Sequence, residues 1–319
     1  MLSSQRIIFC RQFVISSALI FLSGIASLGN SQAGDINFNS ALNYQYDNNL
    51  GNTAEDSWRI KDQFTTVDVG VAQAWSFSPA NALIMKLDYQ QRWFNEYTGL
   101  DKQELTFGLE QRFQLARGFT QPIYSIKFSG GKRDVATDNR DADFARLGFV
   151  MNQRFTDRIN AVFGLDGETV NAQGDTAPDA VIAQFVQELG AGVDSANAII
   201  KKQKVIYDTN QARFFAHADY NLQANWVVYA DYSYNKGHIV SSRKPPESCE
   251  AACHDAAYAG TGLRSYKVRG YANKLGIGTN YALGKHHSVD VFVDYMQTAT
   301  VQNKEYSRGS VGVSYFWGF

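Results

Sequence analysis

Hydrophobic and polar residues alternate with a period of two along most of the chain. In the first such segment, Ile36, Phe38, Leu42, Tyr44 and Tyr46 share one parity, whereas asparagine and glutamine dominate the other. This alternation places apolar side chains on one face of a β-strand and polar side chains on the opposite face. The segment is therefore predicted to be a strand with one apolar face and one polar face.

The same pattern recurs often enough to predict about twelve strands in total, an even number as expected for a closed bacterial barrel. Each recurrence is a run of apolar residues at every second position, many of them aromatic or β-branched, as strands prefer. The further segments lie within residues 67–77, 83–93, 105–113, 124–128, 145–155, 159–165, 212–222, 226–234, 275–283, 289–295 and 311–319.

Short and long connections alternate between these segments. Short turns are predicted near residues 78–81, 156–158, 223–225 and 284–287, with a somewhat longer one at 114–122, and the connections between them are mostly longer. Transmembrane barrels have short periplasmic turns and longer extracellular loops, whereas a soluble sandwich with so many outward aromatic residues would aggregate. The predicted fold class is all-β: a closed antiparallel transmembrane barrel of about twelve strands with both termini on the periplasmic side.

Composition agrees with this prediction. Aromatic residues make up 13% of the chain, which contains 26 Gly and only 5 Pro at a mean hydropathy of -0.30. After residue 33 the sequence has no apolar run of the roughly 18 residues that a membrane-spanning helix needs. The formal net charge of -1 excludes a generic nucleic-acid binder, which requires a basic surplus.

Residues 1–33 have the features of a secretory signal peptide. Two arginines precede an apolar stretch from Phe13 to Leu22, and small residues follow it. Cleavage is expected after Ala33, with Ala26 as the weaker alternative, and a retained membrane anchor is the other interpretation. Residues 34–319 would then form a single outer-membrane barrel domain.

The last segment, YSRGSVGVSYFWGF, ends the chain on an aromatic residue, with apolar positions alternating back from it. It resembles the terminal strand of Gram-negative outer-membrane β-barrel proteins, a porin-like superfamily. The resemblance extends over residues 34–319 as a pattern. It implies an outer-membrane location, contact with outer-membrane lipid, and recognition by the barrel-assembly machinery during biogenesis. The assembly signal would be carried by Tyr315, Trp317 and Phe319.

If the apolar parity faces lipid, the polar parity faces the lumen, and its charges are unevenly distributed. Such an arrangement resembles the transverse field of a porin constriction, in which a basic and an acidic wall orient permeating solutes. The alternative is a plug, in which neighbouring strands neutralise each other and leave no path. The predicted pore-lining residues are Lys86, Arg92, Arg112, Lys127, Arg146 and Arg154 on the basic side, and Asp166, Glu168, Asp219, Asp231, Asp290 and Asp294 on the acidic side.

The two longest loops carry their own predictions. In the loop near 169–210, TAPDAVIAQFVQELGAG predicts a short amphipathic helix that either folds into the lumen or covers the barrel mouth. In the loop near 236–266, Cys249 and Cys253 are expected to form a disulfide in an exported chain. Covalent haem at these cysteines and His254 is the alternative, although the spacing has one residue too many. The sequence predicts no metal site and no cofactor.

The function expected is an outer-membrane channel for small polar or charged solutes, with no nucleic-acid partner; the oligomeric state stays open. A non-conducting barrel that binds or adheres through its long loops, or serves export, is the alternative. An outer-membrane hydrolase is a distant third, since His217 lies beside Asp219 but no nucleophilic serine is placed with them, Ser233 being an unsupported option. The protein is therefore not expected to be an enzyme.

Overall fold

The computed structural model describes residues 32–116, 118–137, 140–172, 206–244, 256–258 and 261–318. These residues form a closed barrel in which each strand pairs antiparallel with its neighbours in sequence and the first strand pairs with the twelfth. The predicted fold class is confirmed. In the described part of the chain, no helix has both the length and the apolar character needed to cross a membrane.

The strands match the predicted segments and extend most of them by a few residues. Three short 3-10 turns, Asp56–Trp58, Thr98–Leu100 and Ala256–Tyr258, lie in connections between them. The strands are β1 (Gln32–Asp47), β2 (Asp62–Ser78), β3 (Asn81–Phe94), β4 (Lys102–Gln114), β5 (Ile123–Val135), β6 (Ala142–Arg154), β7 (Ile159–Ala172), β8 (Thr209–Gln223), β9 (Trp226–Arg243), β10 (Arg264–Ala282), β11 (His287–Thr300) and β12 (Glu305–Gly318).

The apolar parity of the strands forms the outer surface. Leu147, Leu165 and Ile277 each expose about 60% of their surface, and many other large apolar side chains are exposed in the same way. Burial of apolar surface away from water is worth roughly 25 cal/mol per Å². A belt of this extent is therefore stable only where lipid covers it. Aromatic residues such as Trp93, Trp226 and Trp317 stand near the strand ends, where headgroups favour their rings.

The two ends of the barrel differ in the length of their connections. At one end, turns such as 79–80, 155–158 and 224–225 join the strands, and the first residues of β1 and the last of β12 lie at this end. The opposite end carries the longer loops, which by the usual asymmetry is the extracellular end. The connection predicted near 236–266 is shorter than expected, because β9 runs to Arg243 and β10 begins at Arg264.

Several aromatic side chains lie flat against the inner wall of the barrel. A Cβ placed at Gly164 would lie 2.3 Å from Cζ of Phe215 on the neighbouring strand, and one at Gly312 would lie 2.5 Å from Cζ of Phe292. Because glycine has no side chain, the neighbouring ring can pack directly against the backbone at these positions. The rings therefore occupy little of the interior, and charged side chains extend into the remaining space.

Some predictions fall outside the described residues. These are the signal peptide predicted over residues 1–33, except for its last two residues, the amphipathic helix predicted for TAPDAVIAQFVQELGAG, the Cys249–Cys253 disulfide and the terminal Phe319. Tyr315 and Trp317 lie on the outward face of β12, where 40% and 44% of their surface is exposed. Cleavage after Ala33 and the use of the last strand as an assembly signal stay predictions.

Candidate permeation pathway in the barrel lumen

Every charged residue predicted to line the pore lies on the inward parity of its strand. The register shows this directly, because Arg146 of β6 stands opposite Glu168 of β7, and Asp166 of β7 stands opposite Arg213 of β8. On the same strands the other parity carries the exposed apolar residues. The inward set comprises Lys86, Arg92, Arg112, Lys127, Arg146, Arg154, Asp166, Glu168, Asp219, Asp231, Asp290 and Asp294.

Glu110 of β4 forms ion pairs with three of the predicted cations. Its Oε2 lies 3.0 Å from Nζ of Lys86 and 4.0 Å from Nζ of Lys127, and its Oε1 lies 3.0 Å from a terminal nitrogen of Arg112. The hydroxyl of Ser125 also donates to Oε1 at 2.9 Å. The alternation pattern does not identify Glu110 as the residue that holds cations from three strands.

On strands β6 to β8, two carboxylates each form an ion pair with one arginine. Arg146 donates to Glu168 through Nε and a terminal nitrogen, and Arg213 donates to Asp166 in the same manner, with Nε at 2.9 Å. Asp166 and Glu168 were expected to contribute to an acidic wall. In the structure they pair with Arg213 of β8 and Arg146 of β6. We refer to the inner surface of β3 to β7, together with Arg213 of β8, as the basic wall.

The opposite wall has a different composition. His217 lies between Asp231, 2.7 Å from Nδ1, and Asp219, 2.5 Å from Nε2. A doubly protonated imidazolium donates to both carboxylates, whereas a neutral imidazole has a single N–H donor. Tyr229 donates to Asp290 at 2.8 Å, and Lys274 pairs with Asp294 at 2.8 Å.

These contacts contain no hydrolytic arrangement around His217. Both of its ring nitrogens are occupied by carboxylates. The hydroxyl of Ser233 accepts a hydrogen bond from Asn235 at 3.4 Å instead of approaching the histidine. Within the part of the chain that the structure describes, no group of three His, Cys, Asp or Glu side chains has the geometry of a metal site.

The ion pairs of the lumen run along the wall. Among the strand residues that the structure describes, each of these ion pairs joins side chains of one strand or of adjacent strands, as in Arg133 with Glu104 at 2.8 Å. Such pairs line the interior without crossing it. A cavity of about 270 Å³ lies against the basic wall, lined in part by Lys86, Lys127, Arg146 and Arg213.

Contacts that do cross the interior are found at the extracellular end. The loop after β1 reaches β9, where Ser242 N–H donates to the carbonyl of Gly51 at 2.8 Å and the Asn52 side chain donates to the carbonyl of Val240 at 3.2 Å. Asn49 is fully buried and donates to the carbonyls of Thr53 and of Ser307 on β12. We call this arrangement of residues 48–61 over the mouth the extracellular cap.

An apolar cluster completes the cap. Tyr97 and Tyr258 stack edge to face at 5.9 Å, which joins the loop after β3 to the turn at 256–258. Burial raises the pKa of Asp101, whose carboxylate accepts a hydrogen bond from the backbone N–H of Phe94 at 2.7 Å. The buried members of the cluster are Ile60, Phe64, Phe94, Leu100, Ala257, Tyr258 and Leu263.

Comparison with known proteins identifies no family. No protein-family model matches the chain, and no curated protein matches its sequence. Solved structures that share the fold include an outer-membrane channel from Pseudomonas putida F1, at 8% identity and a TM-score of 0.49, covering 92% of this chain and 98% of that one. The NanC porin has 7% identity and a TM-score of 0.43, with 87% and 98% covered. Outer membrane phospholipase A from Escherichia coli has 13% identity and a TM-score of 0.41, with 91% and 93% covered.

The features of this molecule define its class. It has a closed antiparallel barrel, an apolar belt on the outside and a charged lumen. These are the properties of transmembrane barrels of Gram-negative outer membranes.

Proposed function

We propose that the protein is an outer-membrane channel for small polar or charged solutes. The observation that carries this proposal is the course of the luminal ion pairs, which lie along the wall and leave a cavity of about 270 Å³ between them. A merely structural barrel has no need of inward charges, because a filled interior is built more economically from apolar side chains.

The two walls give the pathway a transverse field. Cations of β3 to β8 face a side on which Asp231, Asp290 and Asp294 are the prominent charges. A dipolar solute entering such a field turns its negative end towards the basic wall and loses less hydration energy than it would in an uncharged pore. This charge segregation is the basis for selectivity in the proposed channel.

The extracellular cap places the barrier at one end of this pathway. Its crossing contacts join the loop after β1 to β9, and Asn49 fixes the same loop to the adjacent strand β12. In the middle of the barrel, the ion pairs of the described strands join side chains of one strand or of adjacent strands. Solute passage therefore requires the cap to shift, and the proposed channel opens and closes at its extracellular mouth.

Planar-bilayer recording tests the proposal. The mature chain is refolded, its folding is confirmed by heat-modifiable migration on a gel, and ion selectivity is measured at asymmetric salt. Discrete, stable openings are expected, together with more frequent openings when Asn49 is replaced by alanine, since that side chain holds the cap to Ser307. A folded barrel that stays silent in both forms would contradict channel function.

The apolar cluster of the cap favours a second candidate, a non-conducting barrel that binds or adheres through its extracellular loops or serves export. Three connections that bury Ile60, Leu100 and Tyr258 against one another present a fixed surface rather than a mobile one. Binding of intact outer-membrane vesicles to cells or surfaces, abolished by loop replacement while the barrel stays silent in bilayers, would support this candidate. Release of fatty acid from phospholipid by the refolded protein would instead indicate a hydrolase.

A further inference from the structure

Cations and carboxylates on the basic wall lie at different depths. The side chains of Glu110, Glu168 and Asp166 expose only 5%, 9% and 10% of their surface. Their partners on the same wall expose far more, with values of 40% for Lys86, 46% for Arg112, 45% for Lys127, 39% for Arg146 and 41% for Arg213. A solute in the lumen therefore meets more of the cations than of the acids behind them.

The pairing leaves donors available on this surface. Lys127 has its nearest carboxylate at 4.0 Å, which is beyond hydrogen-bond distance, and it makes no hydrogen bond to the described residues. Arg146 and Arg213 each direct Nε and one terminal nitrogen at the wall carboxylate. The second terminal nitrogen of each guanidinium makes no hydrogen bond within the described ranges.

The side chains that carry these donors line the cavity against the basic wall. Its volume is about 270 Å³, and Lys86, Lys127, Arg146 and Arg213 line it from four different strands. Thr106 and Ser129 add side-chain hydroxyls, and the Phe215 ring, with the Arg213 guanidinium 5.1 Å from its centre, adds an apolar surface. Three acids, Asp88, Glu110 and Asp166, also line the cavity, so four cations stand against three carboxylates. Glu110 and Asp166 are paired with Lys86 and Arg213 and expose little of their surface.

We propose that this cavity is a binding site for a small organic anion that carries two or more carboxylate groups. Guanidinium and ammonium donors recognise carboxylates through short charge-assisted hydrogen bonds. Donors on four strands accommodate more than one carboxylate, and the volume admits only a small solute. The proposal rests on the proposed channel function and names the solute class that the channel selects.

Calorimetric titration of the refolded, detergent-solubilised barrel with citrate tests the site without requiring conduction. Citrate is expected to bind, and its neutral triamide is expected not to bind. Lys127→Gln and Arg146→Gln should each weaken binding about tenfold, as expected for the loss of one charged hydrogen-bond donor. Lys274→Gln is the matched control, because it removes the same charge from the opposite wall, where Lys274 pairs with Asp294.

The outcomes separate the site from the channel. Absence of citrate binding, or equal weakening by Lys274→Gln, would overturn the site even if the barrel conducts. Citrate binding that depends on Lys127 in a barrel that never conducts would retain the site and overturn the channel. Lys127→Arg keeps the charge and should keep citrate affinity within about twofold. Retained affinity in this variant would show that the loss in Lys127→Gln comes from the missing charge and not from a folding defect. Heat-modifiable migration confirms that each variant is folded.

Discussion

The hydroxyl groups of Ser241 and Tyr306 lie 2.6 Å apart, although β9 and β12 are separated in the barrel by β10 and β11. Both residues are buried, with 0% and 3% of their surface exposed. Their hydrogen bond ties the extended β9–β10 hairpin to the strand that closes the barrel. It is one of the contacts that hold the extracellular mouth shut.

Tyr306→Phe is expected to loosen this closure. The change leaves the buried Ser241 hydroxyl without its tyrosine partner, at a cost of about 1–3 kcal/mol. Single-channel recording should show openings that are about tenfold more frequent than in the wild type. The double variant Ser241→Ala/Tyr306→Phe removes both hydroxyls and should cost less than the sum of the single changes. Strict additivity, or unchanged opening in Tyr306→Phe, would mean that this pair does not hold the cap.

Arg112→Gln and Arg146→Gln are expected to shift ion preference towards cations without preventing folding. Each change removes a cation exposed to the lumen and leaves the charge of Glu110 or Glu168 less compensated. The reversal potential at asymmetric KCl measures the shift. Lys285→Gln makes the same charge change in an exposed turn between β10 and β11 and should leave the potential unaltered. Unchanged selectivity in the arginine variants would remove these side chains from the permeation path.

Gly164→Ala is expected to narrow the lumen rather than unfold the barrel. The new methyl group would lie 2.3 Å from Cζ of Phe215, and the ring tip is free to move only away from the wall, into the cavity it lines. Conductance should fall, and Gly164→Ala/Phe215→Ala should restore it. Gly284→Ala, where nothing lies within 4 Å, is the control and should behave as the wild type. An unaffected conductance in Gly164→Ala would place the constriction elsewhere.

Asp47→Asn is expected to destabilise the barrel. The Asp47 carboxylate is fully buried, pairs with Arg308 across the β1–β12 boundary and accepts a hydrogen bond from Asn49 N–H at 2.9 Å. Loss of one partner from a buried ion pair costs about 3–5 kcal/mol. The temperature at which heat-modifiable migration is lost should fall accordingly.

A matched control for this change lies in the cap. Asp56 pairs with Arg59 at 2.9 Å but exposes 86% of its side chain, so Asp56→Asn should cost no more than about 1 kcal/mol. Equal effects of the two substitutions would contradict a structural role for the Asp47–Arg308 pair.

The strands and their facing were predictable from the sequence because each depends on a short-range regularity. Alternation in a segment such as Val289, Val291 and Val293 fixes which side chains face lipid, whatever the rest of the chain does. The same alternation predicts that residues such as Arg146 and Asp294 face the lumen. The confirmed architecture rests on this local rule applied along the whole chain.

The partners of the luminal charges could not be predicted in the same way. Register decides that Asp166 faces Arg213, and one residue of slip would have given another partner. The cap was missed because its contacts join residues far apart in sequence, such as Asn49 and Ser307, and its loops carry no periodic pattern. The glycines beneath Phe215 and Phe292 were also unrecognised, although glycine at inward positions of otherwise β-branched strands is a signal that was available.

The boundary between β1 and β12 joins the first and the twelfth strand, and it determines when the barrel can close. The two strands pair only from Asn39 to Asp47 on β1, whereas β9 and β10 pair from Trp226 to Arg243. β1 precedes β12 in the chain, so one edge of β1 stays unpaired until β12 has been made. An unpaired strand edge in lipid costs several kcal/mol for each unsatisfied backbone group. Closure of the barrel therefore waits for β12, and a barrel that lacks β12 leaves one edge of β1 and one edge of β11 without a partner strand.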